Sequence, residues 1–309
     1  MNNWHGQKER GVGTWKLKFL SGVYRILGRP ALEFILRPIV FFIWCFATEI
    51  RWASNNFRSV LSSFLLGKGK NPIKFSSYQH MLFYAEALVD KFAAFSGGAL
   101  PITITDNDSW KHFSEIVSKN QGCFFICSHH GNIEALPAIT HNKKSSFNKC
   151  IHAFMRVSQS PVFHDFIEKN TNATQVVIHA TENIGISTGI EISNLLEMGN
   201  IVMMAGDRLN SSKSGISVKI LGKTCRLPSG VFKLAKFTGV PVFFVSCIKK
   251  NKHYVFEIKE GIGSANELGM QFAKFLEQKI VEAPINWANF YDFFQNQDEF
   301  SWSTLSELY

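Results

Sequence analysis

Five short apolar runs separated by helical patterns constrain the fold of this chain more than any other feature. The runs cover residues 123–127, 150–154, 174–178, 201–205 and 242–247. Apolar residues at helical spacing fall between most of them, around residues 133–140, 161–169, 186–198 and 229–237. Strands that alternate with helices build a parallel sheet with helices on its faces. We therefore predict an α/β fold with a mainly parallel central sheet flanked by helices.

Two further elements follow the last of these runs. A polar link at residues 249–252 joins the run at 242–247 to apolar residues 254–258, which predicts a β-hairpin at one edge of the sheet. A final helix is predicted near residues 265–281. The aromatic tail after it, around Trp287 and Phe290, is interpreted as core packing.

The first quarter of the chain carries all of its excess positive charge. Residues 1–75 contain 12 Lys and Arg against 3 Asp and Glu, whereas residues 76–309 contain 21 of each. Apolar residues at spacings of three and four from residue 15 to about 63 predict two helices broken near Gly28 and Pro30. Basic charge mixed with bulky apolar side chains is typical of a helix that lies on anionic lipid. We predict a membrane-associating region at residues 1–75 and an α/β domain at residues 76–309.

The same region also indicates where the protein is located and which partners it binds. The apolar stretch at residues 39–46 is bracketed by Glu33, Arg37 and Glu49, so it supplies about half of the roughly 20 apolar residues that a spanning helix needs. With no signal peptide apparent, the expected location is the cytoplasmic face of the membrane, with peripheral or shallow attachment. Nucleic acid is not an expected partner, because no DNA or RNA module accompanies the basic residues.

The cysteines indicate neither a metal centre nor a redox centre. Six are present, and they form no CxxC pair and have no histidine at zinc-site spacing. Cys123 and Cys127 are four residues apart within one predicted strand, which places both on one face of the sheet as buried thiols. We predict that the protein uses no metal and no cofactor.

The candidate chemistry follows the first apolar run directly. His129 comes at the end of that strand, where sites assemble in parallel α/β sheets, and Glu134 falls in the first turn of the next predicted helix. A neutral imidazole can accept a proton near pH 7, and a carboxylate on its other nitrogen fixes the ring and stabilises the imidazolium. We predict His129 as a general base with Glu134 as its partner.

Three other interpretations of these residues stay open. A His-x4-Glu spacing also arises from an ordinary loop histidine followed by a glutamate at a helix N-terminus. His130 and Glu134, four residues apart, would suit a metal if both lay on a helix, but Gly131 and Asn132 favour a turn. The double histidine is also shared with carrier-dependent condensation domains, which are much longer chains with an Asp-Gly pair that is absent here.

The block from His129 to Glu134 resembles that of the lysophospholipid acyltransferase superfamily, in the branch of bacterial lipid A biosynthesis late acyltransferases. The family block is of the type His-Phe-Gly-Asn-Trp-Glu, and this chain has His130 and Ile133 in place of the two aromatic residues. The resemblance implies that His129 and Glu134 are catalytic and that Asn132 binds substrate. It extends over roughly residues 15–295.

Later blocks follow in the family's order. Arg156 ends a segment similar to the one that the family uses near the acceptor or carrier phosphate. Asp207 and Arg208 stand where the family has an acidic and polar cluster, although the form here is Gly-Asp-Arg. Residues 227–242 resemble the family's closing helix and the strand after it, with Ser229 as the N-cap of that helix and Gly230 permitting close backbone approach. The resemblance implies that all five bind substrate.

The resemblance implies an acyltransferase of lipid biosynthesis at the bacterial inner membrane. The donor would be acyl carrier protein or an acyl-CoA thioester, and the acceptor a hydroxyl or amine of a lipid or lipid precursor. Acyl carrier protein is the favoured partner because it is acidic and the N-terminal quarter of this chain is basic. A non-catalytic lipid-binding protein of the same fold and a thioesterase-type hydrolase are the alternatives.

Overall fold

The predicted sheet is present in the computed structural model, which describes residues 14–95, 100–136, 149–155, 176–180, 185–209 and 215–294. Its strands are β1 Ile102–Ile104, β2 Cys123–Cys127, β3 Ile151–Met155, β4 Val176–Ala180, β5 Ile201–Ala205, β8 Val242–Lys250 and β9 His253–Gly261. The strand order is β1-β9-β8-β2-β5-β3-β4, and only β8 and β9 pair antiparallel. The predicted α/β class and the hairpin of β8 and β9 are therefore confirmed. Its predicted place at the edge of the sheet is wrong, because β1, a short strand that was not predicted, pairs with β9 on the outside. A separate hairpin of β6 Gly215–Ile220 and β7 Lys223–Pro228 was not predicted.

Strand β2 lies at the centre of this sheet, between β5 and β8. All five of its residues are buried. Phe124 and Ile126 join the apolar core on one face, and Cys123, Phe125 and Cys127 join the core on the other. The two cysteines share a face as predicted, because side chains alternate along a strand. A strand this apolar on both sides belongs in the middle of a parallel sheet that is covered by helices.

The described residues contain seven α-helices around the sheet. They are α1 Thr14–Phe46, α2 Thr48–Gly67, α3 Ser77–Phe95, α4 Asp108–Ser118, α5 Ile186–Glu197, α6 Ser229–Phe237 and α7 Ala265–Glu282. Helix α7 begins at a capping box, in which Ser264 and Glu267 satisfy each other's backbone N–H groups. Of the predicted helix at 133–140, the described part is a 3-10 turn at Ile133–Ala135. The predicted helix at 161–169 lies outside the described residues.

The N-terminal helices divide their apolar residues between the core and the surface. Helix α1 breaks at Gly28, where φ is 73°, as the Gly-Pro signal predicted. A second break, at Ala47 between α1 and α2, was not predicted. One side of α2 packs into the core that also holds Phe124, through Phe57, Leu61 and Leu65. Helix α1 instead leaves large aromatic side chains exposed, among them Phe34, Phe42 and Phe46. The boundary predicted at residue 75 stays a prediction.

A test for membrane-spanning segments gives a limited result for the described residues. Neither α1 nor α2 alone is long and apolar enough to cross a bilayer. The part of α1 from Pro30 and the whole of α2 pass the test only as a pair, bent by 92°.

Candidate active site

The ends of two neighbouring strands bring the candidate catalytic residues together. Strands β2 and β5 are adjacent and parallel, so the residues that follow them meet at one edge of the sheet. The Gly206 N–H donates to the Cys127 carbonyl at 2.9 Å and extends this pairing by one step. A Cβ at Gly206 would lie 2.7 Å from a side-chain carbon of Ile126. Glycine therefore lets the chain after β5 run close to the end of β2, and the next residue, Asp207, faces His129.

His129 and Asp207 form a two-point contact. The backbone N–H of His129 donates to Asp207 Oδ2 at 2.9 Å, and the ring Nδ1 lies 2.9 Å from Asp207 Oδ1. The side chain of Asp207 is 2 % exposed, whereas that of His129 is 35 % exposed. The carboxylate is thus sealed beneath an imidazole that is open to solvent.

The charge of Asp207 sets the tautomer of the ring. Burial on its own would raise the pKa of the Asp207 carboxyl. The charge and hydrogen bonds of His129 and the charge of Arg208 act the other way, and the pKa of Asp207 lies below its ordinary value. Because an ionised carboxylate can only accept hydrogen bonds, Nδ1 carries a proton, and in the neutral ring Nε2 is then the nitrogen with the lone pair. This is the form that a general base requires.

The carboxylate at Nδ1 differs from the one that we predicted. Sequence reasoning assigned that position to Glu134 and gave Asp207 a substrate-binding role. Glu134 lies in the 3-10 turn after the loop, but its side chain is outside the described residues, so its predicted contact with His129 stays a prediction. The role of Asp207 at Nδ1 was missed, because it depends on which strands are neighbours.

Gly131 and Asn132 make the turn that carries His129. Gly131 has φ 84°, and a Cβ there would lie 2.3 Å from the Cys247 carbonyl oxygen, so only glycine fits. Its N–H donates to Asn286 O at 2.9 Å, and the N–H of Asn132 donates to Cys247 O at 2.8 Å. The Asn132 side chain was predicted to bind substrate; it is buried and donates to the Ala87 carbonyl at 3.0 Å. In the described residues this side chain bonds to Ala87 and Tyr254, which are groups of the protein's own core.

The aromatic tail holds the other side of the same loop. Ala288 N–H donates to His129 O at 3.0 Å, and Trp287 pairs with His130 as an isolated bridge. Trp287 is fully buried and packs edge-on against Phe57. The interpretation of the tail as core packing is confirmed, and the tail also supports the backbone of the candidate base.

The remaining predicted site residues have different surroundings. Arg208 is half-buried, donates to Ala288 O at 3.1 Å and lies over the Tyr291 ring. Ser229 is buried, but it is the first helical residue of α6 and not its N-cap; this corrects our prediction, because Pro228 occupies the capping position. Gly230 is exposed and has open space beside it. Arg156 lies outside the described residues. Across the described part of the chain, no group of three or more His, Cys, Asp or Glu could hold a metal ion.

Two buried histidines next to the loop should make the stability of the fold depend on pH. His130 Nε2 donates to Ala283 O and His80 Nε2 donates to Trp287 O, and burial lowers the pKa of each ring from 6.5 to about 4. Protonation therefore favours the unfolded chain, so this stability is complete above pH 6.5 and is lost as the pH falls towards 4. We expect each ring to remove about 2 kcal/mol between pH 7 and pH 5. Urea unfolding at the two pH values measures the difference.

The variant His130→Phe provides the control for that experiment. It removes one of these two titrations, so the loss of stability between pH 7 and pH 5 should be about 2 kcal/mol smaller than in the unmodified protein. The pKa of His152 is also lowered by burial, and its titration is common to both proteins. An equal loss in both proteins would show that His130 is not held neutral. Carboxylates with a lowered pKa, such as Asp207, change the stability of the fold only at a lower pH, so they do not contribute to the difference between pH 7 and pH 5.

A model of the family described as bacterial lipid A biosynthesis acyltransferase matches residues 103–296, well over half of the chain. No curated protein matches the chain significantly. The matched span contains His129, Asp207 and the whole of α6, whereas helices α1 to α3 lie before it.

Proposed function

The chain belongs to the family of bacterial lipid A biosynthesis acyltransferases, and from this we propose that it transfers a fatty acyl group from a thioester to a hydroxyl or amine of a lipid acceptor, with His129 as general base. One observation carries the assignment of the base: the imidazole is open to solvent on one side and bonded through Nδ1 to the buried Asp207 on the other. A histidine held in this way is ready to accept a proton.

The proposed reaction needs no covalent enzyme intermediate. His129 Nε2 takes the proton of the acceptor hydroxyl or amine while the acceptor atom bonds to the thioester carbonyl carbon. The resulting oxyanion collapses, the C–S bond breaks, and the imidazolium returns the proton to the departing thiolate. Asp207 stabilises the imidazolium between these steps because its carboxylate stays ionised beside Nδ1. No metal or cofactor takes part in this proposal.

Acyl carrier protein is the proposed donor, and coenzyme A thioesters support the same chemistry. The chain has a net charge of +9, and residues 1–75 supply all of it. Acyl carrier protein is acidic, so charge attraction would speed its encounter with this chain more than that of a neutral partner. Arg156, Arg208, Ser229 and Gly230 stay proposed substrate-binding residues.

A labelled donor tests the proposed function directly. Membranes are incubated with the purified protein and acyl carrier protein that bears a radiolabelled acyl thioester. An acyltransferase yields labelled lipid, a thioesterase yields free labelled fatty acid without any acceptor, and a lipid-binding protein yields neither. Treatment of the labelled lipid with mild base then separates a labile ester from a stable amide.

We also propose that the exposed aromatic side chains of α1 rest in lipid at the cytoplasmic face of the inner membrane. Phe34, Phe42 and Phe46 are each more than 60 % exposed. Leaving such side chains in water costs about 1.5 to 3 kcal/mol each, which transfer into a membrane interface recovers in part. Basic residues on the same helix would add attraction to anionic headgroups.

Replacing these three phenylalanines with serine should weaken vesicle binding by about tenfold or more. The measurement is co-sedimentation with vesicles of phosphatidylethanolamine and phosphatidylglycerol. The matched control is Phe237→Ser, which removes an equally exposed phenylalanine from α6. Unchanged sedimentation of the triple variant, or an equal loss in the control, would contradict docking through α1.

A further inference from the structure

A buried charged cluster lies behind the turn that carries His129. Asp90 from α3 accepts hydrogen bonds from Lys249 Nζ at 2.8 Å and from the Tyr254 hydroxyl at 2.6 Å. The side chains of Asp90 and Lys249 are 2 % and 3 % exposed, and Tyr254 is fully buried. The Tyr254 hydroxyl also lies 3.2 Å from Asn132 Nδ2. The cluster therefore joins α3, β8 and β9 to the turn itself.

The hydrogen bonds of this cluster run in one direction. An amide nitrogen can only donate, so Asn132 donates to the Tyr254 oxygen, and Tyr254 gives its single proton to Asp90. Burial, followed by the charge of Asp90, raises the pKa of the Tyr254 hydroxyl, which keeps the phenol protonated at all working pH values. The Tyr254 hydroxyl thus keeps the proton that it donates to Asp90.

The backbone of the same elements fixes the other side of the turn. Lys249 N–H donates to Asn286 Oδ1 at 2.7 Å, and Asn286 Nδ2 donates back to Lys249 O at 3.0 Å. The carbonyl of Asn286 in turn accepts the N–H of Gly131. Both residues of the turn are consequently tied to the strand that carries Lys249.

We propose that Asp90, Lys249 and Tyr254 are positioning residues, which act through Asn132 to hold the His129 loop in the geometry for proton transfer. The inference rests on the proposed function of His129 as base. Stability alone does not account for the cluster, because a buried ion pair is often no more stabilising than apolar side chains of the same size. A positioning role does account for the cluster, because catalytic groups must be held within a fraction of an ångström by neighbours whose own side chains are fixed.

The variant Tyr254→Phe tests the proposal with the smallest change in shape. It removes the hydroxyl that links Asn132 to Asp90 and leaves the ring in place. We expect kcat to fall about tenfold with KM within about twofold, because one hydrogen bond in the support of the loop is lost. The amide hydrogens of Gly131 and Asn132 should exchange about tenfold faster, since their bonds to Asn286 and Cys247 open more often.

The control is Tyr78→Phe. It removes a tyrosine hydroxyl on α3 that donates to Arg37 O of α1 at the protein surface. Neither kcat nor the exchange of the loop amides should change. If the exchange in Tyr254→Phe stays at the level of the unmodified protein, the cluster does not hold the turn. If the exchange rises while kcat per folded molecule is unchanged, the turn does not position His129. Either result overturns the proposal.

A double variant separates positioning from stability. Asp90→Leu with Lys249→Met replaces the ion pair with apolar side chains of similar size, so the main loss of stability should come from the buried Tyr254 hydroxyl that is left without its acceptor. The Tyr254 hydroxyl then has no carboxylate to accept its hydrogen bond. We therefore expect kcat per folded molecule to be about as low as in Tyr254→Phe. Full activity in this folded variant would contradict the proposal.

The exchange measurement also keeps this proposal separate from the proposed function. If the unmodified protein transfers no acyl group from any thioester donor, the proposed function fails. The exchange of the Gly131 and Asn132 amides still decides whether the cluster holds the turn. A protein that transfers acyl groups but shows no effect of Tyr254→Phe on kcat keeps its function and loses only the positioning role.

Discussion

Replacing His129 with alanine is expected to lower kcat for acyl transfer by about a hundredfold to ten-thousandfold, the usual contribution of a general base. Its ring bonds to the buried Asp207 carboxylate at the edge of the sheet. The fold should survive, because the His129 ring is partly exposed and the backbone N–H at this position still bonds to the Asp207 carboxylate. Binding to anionic vesicles should be unchanged, since the exposed aromatic residues of α1 are untouched.

A second histidine supplies the matched control for this measurement. His112 also pairs through Nδ1 with a carboxylate, Glu260, at 2.8 Å, and its side chain is similarly exposed. His112→Ala should therefore leave kcat within about twofold, because the pair lies on α4 and β9 and not at the strand ends of the site. Near-normal turnover by His129→Ala, with label still appearing in lipid, would reject His129 as the base.

The sheet itself was predictable because its strands are unusually apolar. Strands β2 and β5 are buried on both faces, so continuous runs of bulky apolar residues give their position and bounds directly. The predicted bounds of both agree with the structure. The hairpin of β6 and β7 was missed, although buried and exposed residues alternate along it. Its turn uses Leu221 with φ 52°, where a recognisable hairpin would have asparagine or aspartate before the glycine.

The contacts of the candidate site were less predictable than its location. His129 and Asp207 are 78 residues apart, and their pairing requires that β5 lies next to β2 although β3 and β4 come between them in the sequence. Apolar patterns give the existence of strands but not their order. The ion pair of Asp90 and Lys249 spans 159 residues, and a charged residue in an apolar pattern is ordinarily assigned to the surface. Both contacts depend on tertiary structure.

The variant Asp207→Asn is expected to lower kcat by about three to four orders of magnitude, as the loss of a buried carboxylate that orients a catalytic histidine does elsewhere. The carboxylate accepts two hydrogen bonds, one from the His129 backbone N–H and one from Nδ1. An asparagine has a single oxygen, and if this accepts the backbone N–H, its NH2 group faces Nδ1. The ring then accepts at Nδ1 and carries its proton on Nε2, which is the tautomer that cannot take a proton from the acceptor.

Steady-state kinetics on Asp207→Asn distinguish this orienting role from the substrate-binding role that the family resemblance implied. Loss of orientation lowers kcat and leaves KM within about twofold, whereas loss of a substrate contact raises KM and leaves kcat unchanged. Glu260→Gln is the matched control, because it makes the same carboxylate-to-amide change in the His112 pair and should alter neither constant. A raised KM with normal kcat would show that Asp207 does not orient His129 and instead binds the acceptor or the donor. The carboxylate that orients His129 would then have to be sought at Glu134.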